Sequence, residues 1–244
     1  MSVLREVKVI FADEIVQSLK TKKALLTVIS YLILMFIGLK IGSYFEIFVW
    51  LYAEMRKSFS VLLPYYVSVI IIPLFCIITG YNVVSSEIST GSIRFIAYRA
   101  RRFSILLGKL LSTAVIAVVM ILLAYAIATY YLYQKTGLFY YTQSLIAWAY
   151  LSIYAVCFIC LINLVSMLAK KVAIVWNLFV CIFFVFLLNY DYIKYLSPFY
   201  YSNNALAYII DGDLSKMLLG MLILALFGLI FFSASWLLIE KSDL

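Results

Sequence analysis

Long uncharged apolar runs alternate with short polar breaks along this chain. Residues 58–86, 110–134, 136–169, 172–190 and 217–239 contain no charged side chain. Each reaches the ~18–20 residues a helix needs to cross the hydrocarbon core of a bilayer. A membrane barrel strand would alternate apolar and polar positions, whereas these runs are apolar on every side, so they predict helices. Six spans are expected, over 23–44, 62–83, 105–131, 144–168, 172–188 and 217–239. Lys40 and Lys109 interrupt the first and third. A lysine at the bilayer centre costs about 2.5–3.5 kcal/mol, so Lys40 is expected to snorkel outward and Lys109 inward.

Ahead of the first span the pattern changes to a helical stripe. Val3, Leu4, Val7, Ile10, Phe11, Ile15 and Leu19 recur at helical spacing. Arg5, Glu6, Lys8, Asp13, Glu14 and Gln17 take most of the other positions. A mixed-charge helix with one apolar stripe beside a span is expected to lie in the membrane interface. The first apolar run begins near Ala24 without a cleavage-site pattern, so no removable signal peptide is expected. The domain reading is an interfacial helix over 1–22 followed by a single six-span domain over 23–244.

Charge placement orients the spans. With both ends inside, the cytoplasmic side holds Arg5, Lys8, Lys20, Lys22, Lys23, Arg94, Arg99, Arg101, Arg102, Lys109, Lys170, Lys171 and Lys241, thirteen in all. The outer side holds six: Lys40, Arg56, Lys57, Lys135, Lys194 and Lys216. That bias obeys the positive-inside rule. Tyrosines cluster between spans three and four and between spans five and six, as side chains that favour the headgroup level do. Residues 195–213 are too apolar for an exposed loop and too broken for a span. They predict short helices dipping into the outer leaflet, with Asn203 or Asn204 capping the second and Asp211-Gly212-Asp213 ending it.

Composition fits this picture. The chain has 244 residues, 67% hydrophobic and 12% charged, where soluble domains carry about 25% charged. The net charge of +8 marks a cytoplasmic membrane face rather than a nucleic-acid partner. Cys157 and Cys160 share a helix face, but there is no histidine and no second cysteine pair. Buried apolar cysteine is the expectation for all four, and no metal or disulfide framework is implied. No acidic residue lies deep in a span, which disfavours an ion-coupled carrier. No charge ring or carbonyl filter marks a channel, and no acid/base constellation marks a hydrolase. The "LGKLL" at 107–111 is not a phosphate loop: Phe103 stands where the first glycine belongs, and Leu110 where Ser or Thr should follow Lys109.

One segment concentrates the charge. In "SSEISTGSIRFIAYRARRFSILLGKLL" (85–111), Arg94, Arg99, Arg101 and Arg102 fall within nine residues. On a helical wheel with Glu87 at zero, Gly91 lies near 40° and Arg94 near −20°, while Ile88 and Phe95 lie near 100° and 80°, at about 100° per residue. The charged stripe can face a partner while the apolar stripe rests on the spans. The glycine, unfavourable inside a helix by about 1 kcal/mol, would let another backbone approach. A plain positive-inside anchor also explains the arginines, though not Glu87 and Gly91 on the same stripe.

Glu87, Gly91, Arg94 and the "RRFSILLGKLL" that follows resemble the cytoplasmic loop of type-2 ATP-binding-cassette (ABC) exporter permeases. So do the interfacial helix, the six spans and the "SPFY" at 197–200. Tyr98-Arg99-Ala100 replaces the proline that commonly precedes the arginine. The resemblance implies that 87–95 is a coupling helix, with Glu87, Gly91, Arg94 and Phe95 docking on a separate ATPase subunit, two copies of which carry ATP and magnesium. It implies no cofactor and no catalytic residue on this chain. It also implies a second permease chain, identical or related, with the substrate path between the two chains and lined by spans two and five; the aromatic, uncharged spans themselves suggest a hydrophobic or amphipathic substrate such as a peptide, lipid-like molecule or drug. Phe75 and Asn177, and secondarily Asn163, are the candidates to line that path, with ordinary helix packing as the alternative use of each. The location implied is the cytoplasmic membrane of a prokaryote. Two other readings stay open: a membrane anchor or sensory subunit that binds an ATPase without transporting, and a secondary carrier.

Overall fold

The computed structural model describes residues 3–20, 22–48, 56–80, 101–136, 141–169, 172–211 and 213–241. Every regular element among them is helical. The helices are α1 (Val3–Lys20), α2 (Lys22–Phe48), α3 (Arg56–Gly80), α4 (Arg102–Thr136), α5 (Tyr141–Ala169), α6 (Ala173–Phe186), α7 (Pro198–Asp211) and α8 (Leu214–Lys241). Two 3-10 turns, Leu187–Asn189 and Lys194–Leu196, lie between α6 and α7. Helices α4, α5 and α8 are long and apolar enough to cross a membrane, and a fourth span results if α1 and Leu25–Ile41 of α2 count as one bent unit. Pro64–Gly80 and Ala173–Asn189 are shorter apolar helices.

Helix α5 is the centre of the bundle. It is apolar all round, which is the pattern of a helix buried on all sides. It packs along α8, α4, α3, α6 and α7. Its Ala147, Tyr150, Leu151, Tyr154, Ala155 and Phe158 are fully buried. Around it the outer helices turn one stripe inward. In α2 that stripe is Tyr31, Met35 and Leu39. In α8 it is Gly220, Leu224 and Gly228, and the glycines bring its backbone close to α5: a Cβ on Gly228 would stand 3.6 Å from the Cys157 Cα. Small residues at such spacing are how apolar helices approach one another without a hydrophobic drive between them.

Helix α3 carries Pro64 and Pro73 inside its length. A proline in a helix removes the hydrogen bond to the carbonyl four residues earlier. For Pro73 that carbonyl is Val69, and the Tyr154 hydroxyl of α5 donates to it at 3.0 Å. The Ser68 hydroxyl donates to the Pro64 carbonyl at 2.7 Å and is paired with the Tyr31 hydroxyl of α2. The carbonyl that Pro73 leaves open is thus met by a neighbouring helix, as a dry environment demands.

Two sequence expectations change here. Lys109 does not snorkel; it is buried, 3% exposed, against α1. Residues 198–211 form one continuous helix, so Asn203 and Asn204 lie inside α7 and cap nothing. The helix begins instead at Ser197-Pro198, with proline in the first turn, where its missing N–H costs no bond. The Ser197 hydroxyl turns away to donate to the Phe184 carbonyl, one of the last four in α6.

Candidate functional site

Glu87, Gly91, Arg94 and Phe95 lie outside the described residues, as do Arg99 and the Lys170-Lys171 hairpin. The described chain resumes at Arg101, and the stretch 101–109 is a junction of three helices. At its start the Glu6 carboxylate of α1 accepts a hydrogen bond from the Arg101 backbone N–H at 3.1 Å. This places a negative charge at the positive end of α4. That N–H holds the Glu6 carboxyl below its usual range, with Ser104 Oγ nearby adding to the effect.

One turn on, α1 and α4 touch backbone to side chain. A Cβ on Gly108 would lie 2.9 Å from Ile10 Cγ2 and 3.3 Å from the Val7 carbonyl oxygen. Glycine is required there because α1 lies so close. Next along, Lys109 Nζ donates to the Glu14 carboxylate, with the lysine side chain 4% and the glutamate 20% exposed. Glu6, Ile10 and Glu14 are spaced by four, so one face of α1 makes all three contacts.

The same stretch also holds the far end of the chain. Arg102 Nη1 donates to the carbonyls of Ile239 and Glu240 at 2.9 and 3.0 Å. These belong to the last turn of α8, whose carbonyls have no partner within the helix. Phe103 adds edge-on ring contacts with Phe232 and Trp236 of α8. Residues 101–109 therefore clasp both α1 and the end of α8 to α4.

The path candidates sit deeper. Phe75 of α3 is buried in the core. Asn177 of α6 is 1% exposed and donates to Ser166 Oγ of α5 at 2.9 Å. Asn163, one turn from Ser166, is equally buried and donates to its own helix at Ile159. The Asn177–Ser166 bond joins α6 to α5, whereas Asn163 spends its donor within α5. Both side-chain oxygens, Asn163 Oδ1 and Asn177 Oδ1, have no hydrogen-bond partner among the described residues.

At the opposite end from the clasp, α7 lies across the bundle. Tyr65 of α3 donates to the Ser202 carbonyl at 2.9 Å, and Tyr150 of α5 to the adjacent Tyr201 carbonyl at 2.9 Å. Gly220 of α8 leaves the room: a Cβ there would stand 2.8 Å from the Tyr150 hydroxyl oxygen. Phe199 fits edge-on against Tyr154 and Phe158. In the sequence, the density of tyrosines in and around this segment is the signal that accompanies these contacts.

All four cysteines are buried thiols. Among the described residues no group of three or more Cys, Asp or Glu side chains is placed to hold a metal ion. No protein-family model matches the chain, and no curated protein matches it in sequence.

Proposed function

We propose that this chain is the membrane permease subunit of an ATP-driven exporter of the type-2 ABC class, moving a hydrophobic or amphipathic substrate. In this reading α2, α3, α4, α5, α6 with its 3-10 extension, and α8 are the six spans. Both chain ends face the cytoplasm, and α7 lies re-entrant in the outer leaflet. The ATP and magnesium belong to a separate ATPase, which docks on 87–95, and the permease pairs with a second permease chain.

The clasp is the observation that carries the reading. Residues 101–109 follow, five residues on in sequence, the segment that would meet the ATPase. They grip α1 through Glu6, Ile10 and Glu14, and α8 through its terminal carbonyls. A displacement of the docking segment is thereby passed to the N-terminal helix and to the last helix together. The interlocked contacts resist independent sliding, because neither Gly108 nor buried Lys109 has room to shift alone. The anchored outer helix supports the reading as well. Polar backbone within a leaflet must be covered by protein, and the two phenols cover carbonyls in the first turns of α7.

The test is purification of the chain from its native membrane, followed by ATP hydrolysis measured in the resulting complex. An ATPase lacking spans of its own is expected to co-purify, and its hydrolysis to respond to apolar substrates. Gly91→Trp is expected to abolish that response and the co-purification while the chain still inserts. Wild-type behaviour of Gly91→Trp would show that 87–95 is only a positive-inside anchor. Co-purification with no transport in vesicles would favour the sensory-subunit reading.

A further inference from the structure

Helices α4 and α8 both pack on α5 but barely meet each other. Between them runs a groove of about 540 Å³, floored by α5. Ala114 of α4, Cys157 of α5 and Gly228 of α8 give it depth, and Leu111, Val156 and Leu229 stand exposed at its mouth. The wall is dry. The Ser152 hydroxyl in it is turned back on the Trp148 carbonyl at 2.8 Å, so nothing inside recognises a polar ligand.

Its length selects the occupant. On α4 the lining runs from Leu107 to Val118. At 1.5 Å per residue that is about 17 Å. The hydrocarbon core is about 30 Å thick, so the groove spans one leaflet. A transmembrane helix of a partner would need a groove through both. A single acyl chain needs only one.

Its position selects the leaflet. On α4 the groove lies on the half that begins at Arg102, and on α8 its lining runs from Leu224, near mid-helix, to Phe232, toward the Lys241 end. Phe232 closes the groove toward that end, Phe103 meets Phe232 and Trp236 edge-on, and half-exposed Trp236 is the side chain expected at the headgroup level. Beyond the rings, the bonds from Arg102 to the last carbonyls of α8 bring exposed Arg101 and Lys241 to the same end of the bundle, three basic side chains in all beside the two acidic ones, Glu6 and Glu240. Basic clusters beside helix gaps on this side hold lipid phosphates.

We propose that this groove is a binding site for a phospholipid of the basic-side leaflet, with one acyl chain between α4 and α8 and its phosphate at Arg101 and Lys241. The proposal needs these helices to lie in a bilayer; it does not need an ATPase partner, so it stands or falls apart from the transport reading.

The test uses the full chain in phosphatidylcholine nanodiscs containing phosphatidylglycerol with a photoactivatable diazirine in mid-chain. Labelling at Leu111, Val156 and Leu229 is expected to exceed that at Ile33 and Ile37, comparably exposed residues of α2, by about tenfold. Ala225→Phe, which fills the groove from α8, is expected to remove the excess. Lys241→Glu, at the exposed end of α8, is expected to reduce it. Even labelling of Leu229 and Ile33, or an excess that survives Ala225→Phe, would reduce the groove to ordinary boundary lipid and overturn the proposal. Disulfide cross-linking of two copies through Leu229→Cys in the membrane would overturn it in favour of a protein occupant.

Discussion

Lys109 shows what local sequence can and cannot convey. Its place in an apolar run makes clear that a charge needs a solution there. The run does not say that the solution is Glu14, ninety-five positions away, because an ion pair between two helices leaves no local spacing. The pair has a definite mutational signature. Lys109→Met strands the Glu14 carboxylate against an apolar neighbour, and breaking such a pair costs about 3 kcal/mol. Replacing both, as Lys109→Met with Glu14→Leu, is expected to recover most of that loss, because the desolvation of both charges disappears together. Chemical unfolding in detergent of the two single variants and the double measures the coupling, and equal loss in the double would refute it. Gly108→Val belongs to the same contact. Its side chain would collide with Ile10, so faster backbone hydrogen exchange in α1 is expected, with α5 unchanged.

At the scale of elements, the long helices were legible because uncharged runs of membrane length admit little else. The joints between them were not. The segment 195–213 looked broken because its asparagines and tyrosines are usual at caps and interfaces. Tertiary contacts override that signal, for the Tyr65 and Tyr150 phenols bond two successive carbonyls of α7 and hold it as one helix. Tyr150→Phe is expected to cost about 1 kcal/mol. Gly220→Ala, by pushing the same phenol aside, is expected to cost about 1–3 kcal/mol. The two losses should overlap rather than add, because they act on one bond; thermal unfolding of both singles and the double decides it. The start of α8 has its own pH dependence. Asp213 accepts hydrogen bonds from the Ser215 hydroxyl and the Lys216 backbone N–H, and pairs with the Lys216 side chain. The Lys216 side chain first, then the hydroxyl and the N–H, bring its carboxyl down to about 2. A depressed carboxyl stabilises fully above its ordinary value of 3.8 and loses that contribution as pH falls through about 2. Fraying of the first turn of α8 is therefore expected only in strong acid, and Asp213→Ala is expected to produce it at neutral pH, both read by amide exchange.

For the whole molecule, the sequence predicts an orientation that labelling can test. Thirteen basic residues against six define the expected cytoplasmic and outer faces, and in the proposed orientation the clasp lies on the cytoplasmic one. Exposed Tyr192, beyond α6, would lie on the other. A single cysteine at Tyr192, in a background lacking Cys76, Cys157, Cys160 and Cys181, is expected to react with an impermeant maleimide only from outside the cell. Labelling only from the cytoplasm would reverse the orientation and remove the coupling reading with it. Function is less legible because, in the proposed reading, Glu87 to Phe95 would act on another protein, and a single chain holds only half of such a contact.

The bond between Tyr154 and the Val69 carbonyl also sets a timetable for the ribosome. Pro73 opens a gap in α3 as soon as that helix is made, but the phenol that closes it lies 85 residues later. At about 5–20 residues per second, the nascent helix waits some 4–17 s with an unmet carbonyl. Hydrocarbon is a poor place to wait, so α3 should linger beside the insertion machinery until α5 emerges. Site-specific cross-linking of stalled chains is expected to hold α3 there when synthesis stops before Tyr154, and to lose it soon afterwards. Tyr154→Phe is expected to prolong the stay.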